Sequence, residues 1–354
     1  MNLGYELARL GTEYFLSGFL ERYRKQQPLP PPRYVLWDCT RRCNLKCLHC
    51  GAVAERYPSE LTTPQIKTII DQLSSLHVDM FAVTGGEPLL RADLLDVLSY
   101  AREQRMKTGI ATNGFLVTSE IAQRIQLAGI TSVQVSLDGM AATHNRIRGH
   151  PESFERAVDA IEHLVQASIP IVTVATTVTP NNLDQLETMH QFLIGMKVRQ
   201  WRLVSIMPIG RAGTGGLALD GDQFVRMLSF VQRVNGKDLR VLIGENLPFL
   251  GAWEKKVRRG PLLCPVGFTT ACIGVNGSVR GCPEMPDDGV FQEGSLLDKP
   301  FAEIWQTGFK RYRDRKILET DPRCAACHDQ QACYGGCWVM RTGKLHCIRD
   351  LLTE

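Results

Sequence analysis

The chain has 354 residues, 44% hydrophobic and 22% charged, with 41 Lys plus Arg against 37 Asp plus Glu for a net charge of +4. A disordered chain would be more charged and less apolar, and 31 Gly cannot fill every third position of a collagen-like repeat. So small a positive excess argues against a nucleic-acid coat or a polybasic anchor, and neither nucleic acid nor membrane is expected as a partner.

The opening stretch, Met1 to Gln27, carries Glu6, Arg9, Glu13, Glu21, Arg22, Arg24 and Lys25, unlike a signal peptide. It predicts a short helix over Leu3 to Tyr23. The run QQPLPPPR, Gln26 to Arg33, then reads as a Pro-rich spacer. Nothing further on resembles a spanning segment of about 18 apolar residues. The cytoplasm is therefore the expected location, where thiols stay reduced and the 12 Cys read as metal ligands or reactive groups.

Strands are predicted at Tyr34 to Asp38, Met80 to Thr84, Lys107 to Ala111, Ser132 to Leu137, Pro170 to Val178 and Trp201 to Ile206, all rich in β-branched, aliphatic or aromatic residues. Helical periodicity fills the intervals at Thr63 to Leu76, Ala92 to Gln104, Ser119 to Ala128, Ser153 to Ala167 and Leu183 to Ile194. Strand and helix alternating six times predicts an α/β fold, an open, partial (β/α)6 barrel with right-handed crossovers. A further helix is expected at Asp220 to Val234, and a loop-rich block follows with its boundary near Pro261. The expected divisions are 1–32 (helix and spacer), 33–215 (barrel), 216–260 (bridge) and 261–354 (Cys-rich block).

Four cysteines, Cys39, Cys43, Cys47 and Cys50, crowd one segment, and eight lie between Cys264 and Cys347. Buried structural thiols would scatter through the core, so this clustering points to ligands. Directly after the first strand comes CTRRCNLKCLHC. Three thiolates from one tight loop would leave the fourth iron of a [4Fe-4S] cubane open to another ligand. Zinc is the competing reading, although its structural sites want four closed ligands. Cys39 sits outside this spacing and reads as a packed thiol, and His49 as a packing residue.

The run TRRCNLKCLHC resembles the defining motif of the radical S-adenosylmethionine (SAM) superfamily, whose open iron chelates SAM. The resemblance implies Cys43, Cys47 and Cys50 as cluster ligands. Gly85, Gly86, Glu87 and Pro88 resemble the superfamily's GGEP motif at the SAM ammonium. Asn113, Ser136 and Asp138, at the ends of later strands, match positions near the SAM ribose and carboxylate. Arg148, rather than Arg146, matches a family arginine. Strand ends are where barrel enzymes place their sites.

Cys264, Cys272, Cys282, Cys324, Cys327, Cys333, Cys337 and Cys347, with Gly277, look like the SPASM domain. The resemblance implies two auxiliary [4Fe-4S] clusters, one on Cys264, Cys272, Cys282 and Cys337, the other on Cys324, Cys327, Cys333 and Cys347. With SAM and the first cluster, that makes three [4Fe-4S] clusters; a zinc ribbon is the alternative for the tail.

SPASM relatives mostly modify peptides or proteins, so the resemblance implies a 5'-deoxyadenosyl radical that takes a hydrogen atom from such a substrate. Crosslinking, oxidation or backbone excision would follow, the last as in peptide spliceases. Radical chemistry on a small molecule such as a tetrapyrrole side chain is the alternative. Sulfatase maturases carry an Asp directly after the third auxiliary cysteine, where this chain has Pro283 and then Glu284. Glu284 and Tyr334 are the base candidates. Residues 1–32 are too few for the leader-binding domain of many peptide maturases. A separate small recognition protein is therefore expected, with flavodoxin or ferredoxin as electron donor. The basic stretch Lys255 to Arg259 reads as a solvated face.

Overall fold

The computed structural model describes residues 14–23, 25–51, 59–207, 209–214, 216–236, 238–244, 246–247, 249–260, 262–286, 289–342, 347 and 352. Of the expected N-terminal helix, residues 14–23 are helical and the rest lies outside the described residues.

Seven parallel strands follow in order: β1 (Tyr34–Asp38), β2 (Met80–Thr84), β3 (Lys107–Thr112), β4 (Ser132–Ser136), β5 (Ile171–Val178), β6 (Gln200–Ser205) and β7 (Arg240–Ile243). Each pairs with the next. β8 (Thr270–Ile273) pairs in parallel with the free edge of β1, and β9 (Ser278–Arg280) and β10 (Gly294–Ser295) add antiparallel beyond it. The sheet is thus longer than the six expected strands, and the Cys-rich block is built onto it.

Alternation sorts each strand's side chains onto two faces. Val35, Trp37, Phe81, Val83, Ile110, Val133, Val135, Val174 and Trp201 point outward and are almost wholly buried in the main core. The helices over them obey the 3.6-residue period. In Ser153–Gln166, Ala157, Ala160, Ile161 and Leu164 are the buried stripe. Trp37 stacks on Phe81 with ring centroids 6.1 Å apart. Thr118 caps its helix by accepting from Ile121 N at 3.2 Å, and Asp220 and Gln223 bond reciprocally at the start of Gly221–Val234.

The inner face is different in kind. Register places Tyr34, Leu36, Met80, Ala82, Gly109, Ala111, Ser132, Gln134, Ser136, Thr173, Ala175 and Arg202 there. Arg202 on β6 lies within electrostatic reach of Tyr34 on β1, although four strands separate them in the sheet. Only a curled sheet brings such strands together, so this is a partial barrel with a lumen.

Candidate active site

The loop after β1 carries the first cysteines and is clamped by three neighbouring segments. On one side Gly86 N donates to Thr40 O at 2.7 Å and Glu87 N to Arg42 O at 2.8 Å. That approach needs glycine: a Cβ on Gly86 would stand 2.2 Å from Arg42 O, and one on Gly85, at φ +151°, 2.5 Å from Thr40 O. On a second side Leu48 N donates to Ile147 O at 2.8 Å, at the end of helix Ala141–Arg148. On the third, Arg211 N donates to Cys50 O at 3.0 Å and Arg211 Nε to Cys47 O at 2.8 Å.

Glu87 is wholly buried and turns inward to the protein. Its Oε1 accepts from Thr112 Oγ1 at 2.8 Å and Leu89 N at 3.1 Å, and its Oε2 from Asn113 N at 2.8 Å. Burial pushes its pKa up and these bonds pull it back. Pro88 opens a single 3-10 turn behind it. Asn113 Nδ2 donates to Asn44 Oδ1 at 2.8 Å, tying the end of β3 to the cysteine loop. Ser136 ends β4 on the inner face.

Asp138 is a hub. Its Oδ2 accepts from His49 Nε2 and pairs with Arg148 Nη2, both at 2.7 Å, while Oδ1 accepts from Thr177 N at 2.9 Å. Burial pushes this carboxyl up, but the Arg148 guanidinium and His49 outweigh it and hold Asp138 well below the usual carboxylate range. The carboxylate therefore orients Arg148 and His49. Arg148 is buried, with Nη1 3.7 Å from Cys47 Sγ, whereas Arg146 is exposed. His144 Nδ1 accepts from Asp138 N at 2.9 Å, and burial with the Arg148 charge lowers its pKa to about 4. His49, expected only to pack, is thus a hydrogen-bonding member of the site, because its ring reaches the end of β4.

The donor set suits an iron–sulfur cluster. Cys43 Sγ accepts from Leu45 N at 3.5 Å and Cys47 Sγ faces Arg148, so N–H groups and positive charge meet soft sulfur ligands. Among the described residues no three His, Cys, Asp or Glu side chains meet closely enough to hold a single metal ion. Cys39 is fully buried in the main core, and burial pushes its thiol well up.

In the C-terminal block, the left-handed run Tyr334, Gly335 and Gly336 turns the chain between Cys333 and Cys337. Cys337 lies within electrostatic reach of Cys264, and Cys282 of Cys337 and Cys272. Burial pushes Cys272 and Cys337 up to about 12, for Cys337 with Cys264 adding to it. A cavity of about 440 Å³ is lined by Cys324, Cys327, Cys333 and Cys347 and reaches Cys337 of the first group. Tyr334, a base candidate, packs instead among Leu16, Leu20, Tyr23, Phe268 and Leu318 with Arg315 4.9 Å from its ring centre. Glu284 meets solvent, and partial enclosure together with the nearby Asp38 charge pushes its pKa up.

Sequence reasoning missed the join between the two cysteine regions. Asp38, at the end of β1, pairs through Oδ2 with Arg41 Nη2 at 2.9 Å and Arg280 Nη2 at 2.6 Å. Asp38 and Arg280 are almost wholly buried. Only the basic pair inside CTRRC hinted at such an arrangement.

Residues 37–193 match the Radical SAM superfamily, and residues 264–329 match SPASM, an iron-sulfur cluster-binding domain. The chain belongs to the radical SAM superfamily, in its SPASM-bearing branch. It is 31% identical to the mycofactocin maturase MftC of Mycolicibacterium smegmatis, over 89% of this chain and 80% of that protein. It is also 28% identical to an AdoMet-dependent heme synthase of Methanosarcina barkeri, over 86% of this chain and 90% of that protein. The structure of Streptococcus suis SuiB bound to S-adenosylmethionine shares the fold, with TM-score 0.73 and 17% identity, covering 92% of this chain and 77% of that one. The protein is a radical SAM enzyme that uses iron–sulfur and SAM chemistry. No helix among the described residues is long and apolar enough to cross a membrane.

Proposed function

We propose that the protein modifies a peptide, taking a hydrogen atom from it to begin a crosslink, an oxidation or a backbone excision. When bound, a reduced cluster with SAM supplies the 5'-deoxyadenosyl radical. Cys43, Cys47 and Cys50 hold that cluster in the 33–215 barrel. Gly85, Gly86, Glu87, Pro88, Asn113, Ser136, Asp138 and Arg148 shape the SAM site, Glu87 and Asp138 by fixing the groups around them. In the 261–354 block, Cys264, Cys272, Cys282 and Cys337 hold one auxiliary cluster, and Cys324, Cys327, Cys333 and Cys347 the other. The enzyme works in the cytoplasm with a separate small recognition protein and a flavodoxin or ferredoxin as donor.

The observation that carries this reading is the eight-cysteine tail: the 440 Å³ cavity borders all four residues of one set, and the other four lie in electrostatic contact. Two fully ligated clusters are suited to receiving an electron from a substrate radical. Likeness to a peptide maturase over most of both chains supports the substrate class. A second reading, tetrapyrrole side-chain chemistry, is favoured by the likeness to heme synthases.

The test is anaerobic turnover of the reconstituted enzyme with SAM and dithionite. A short precursor peptide encoded beside its gene should change mass while iron coproporphyrin III does not; a mass change on the porphyrin alone reverses the assignment.

A further inference from the structure

Arg202 stands on the inner face of β6, in a row that runs Ser136, Ala175, Arg202, Leu242 across four neighbouring strands. It is the charged inner-face residue that does not sit at a strand end. Two strand spacings, about 10 Å, separate it from Ser136. The surrounding wall is made of small side chains, Ala82, Gly109, Ala111, Ser132 and Ala175, which leave room for a ligand. Arg202 Nη1 lies 3.4 Å from Gln134 Oε1, and Tyr34, Cys282 and Glu284 are within electrostatic reach.

We infer that Arg202 anchors a carboxylate of the substrate inside the barrel, beside Gln134, and so fixes which hydrogen is presented at the end of β4. The planar fork of an arginine matches a carboxylate through two parallel hydrogen bonds. Glu284 lies within electrostatic reach of the same guanidinium, so a second negative charge on the ligand is disfavoured and a monoanion fits better than a phosphate dianion. On the peptide reading, on which this inference rests for its source, the group is a peptide's C-terminal carboxylate; a tetrapyrrole would offer a propionate.

The test uses anaerobically reconstituted full-length enzyme with SAM and equilibrium dialysis. One probe is a pool of pentapeptides of mixed C-terminal residue, made as free acids and as amides. The other is coproporphyrin III as free acid and as methyl ester. The wild type should retain the peptide acids about tenfold better than the amides. Arg202→Gln should abolish that preference, Arg202→Lys should reduce it by losing the fork, and the surface variant Arg226→Gln should leave it intact. Discrimination with the porphyrin alone keeps Arg202 as anchor and overturns the peptide reading. A wild type that treats acid and masked forms alike in both probes overturns the inference. So does an unchanged preference in both Arg202 variants. Loss of SAM retention in Arg202→Gln also overturns it, because the guanidinium would then serve the cofactor.

Discussion

The two cysteine regions are held by different means. The loop after β1 is laced by backbone hydrogen bonds to segments following β2 and β6 and to the helix ending at Arg148, so its shape is set by a sheet and core that exist without metal. The block after Pro261 has short helices and tight turns, and much of its cysteine-bearing chain borders an open cavity. The first site is shaped by hydrogen bonds within the protein, and we propose that the second takes its shape from the metals it binds. Asp38 and Arg280 connect them, so loosening of the second should be felt at the first.

The largest expected effect comes from removing ligands. Cys43→Ala, Cys47→Ala or Cys50→Ala should reduce SAM cleavage to background while leaving the iron of the C-terminal block in place, measured as 5'-deoxyadenosine released and iron retained. Iron chelation should do the opposite to the fold. Hydrogen exchange should rise sharply across 320–342 and little across β1 to β6; equal loss in both would break the comparison.

Next comes the join. Asp38 keeps Arg41 when Arg280 is removed, so Arg280→Leu should cost about 1.5–3 kcal/mol in urea unfolding, and Arg280→Leu with Asp38→Asn should cost less than the sum of the two changes. Full additivity of the two changes would deny the coupling. Arg148→Ala strips the buried Asp138 of its guanidinium partner and Cys47 of its charged neighbour, so it should both destabilise the fold and lower SAM cleavage about 10–100-fold, as loss of a group supporting a metal ligand does.

The smallest effect is that of pH on the metal-free chain. His144 is lowered to about 4 in the folded state, so below an unfolded value near 6.5 the unfolded chain binds a proton the folded one does not. Stability is fully present above about 6.5 and should fall as pH drops toward 4, with Asp138, also depressed, extending the loss below that. Urea titrations at pH 7 and pH 5 check the sign, and His144→Gln should flatten the slope.

Much of the barrel was legible because β1 to β6 are apolar, β-branched runs bounded by turn residues and separated by amphipathic helices. β7, RVLI, and β8, TACI, are four residues each and offer too little periodicity to separate them from loop. The motif residues were legible through a family resemblance; their roles toward one another were not. Glu87 and Asp138 read as ligand-facing carboxylates, but their hydrogen bonds go to groups distant in sequence, which composition and spacing do not reveal. The same holds for Asp38 with Arg280, 242 residues apart, and for Arg202, whose face follows from alternation while its neighbours follow from the curl of the sheet.

The central claim is one SAM-binding cluster on a preformed loop joined to two auxiliary clusters. Iron, sulfide and zinc analysis of the anaerobically reconstituted chain tests it most directly. The account predicts about 12 iron and about 12 sulfide per chain, falling to about 8 of each when Cys43, Cys47 and Cys50 are all replaced by Ala. About 4 iron with bound zinc would contradict it, leaving a zinc-stapled tail with no electron to accept.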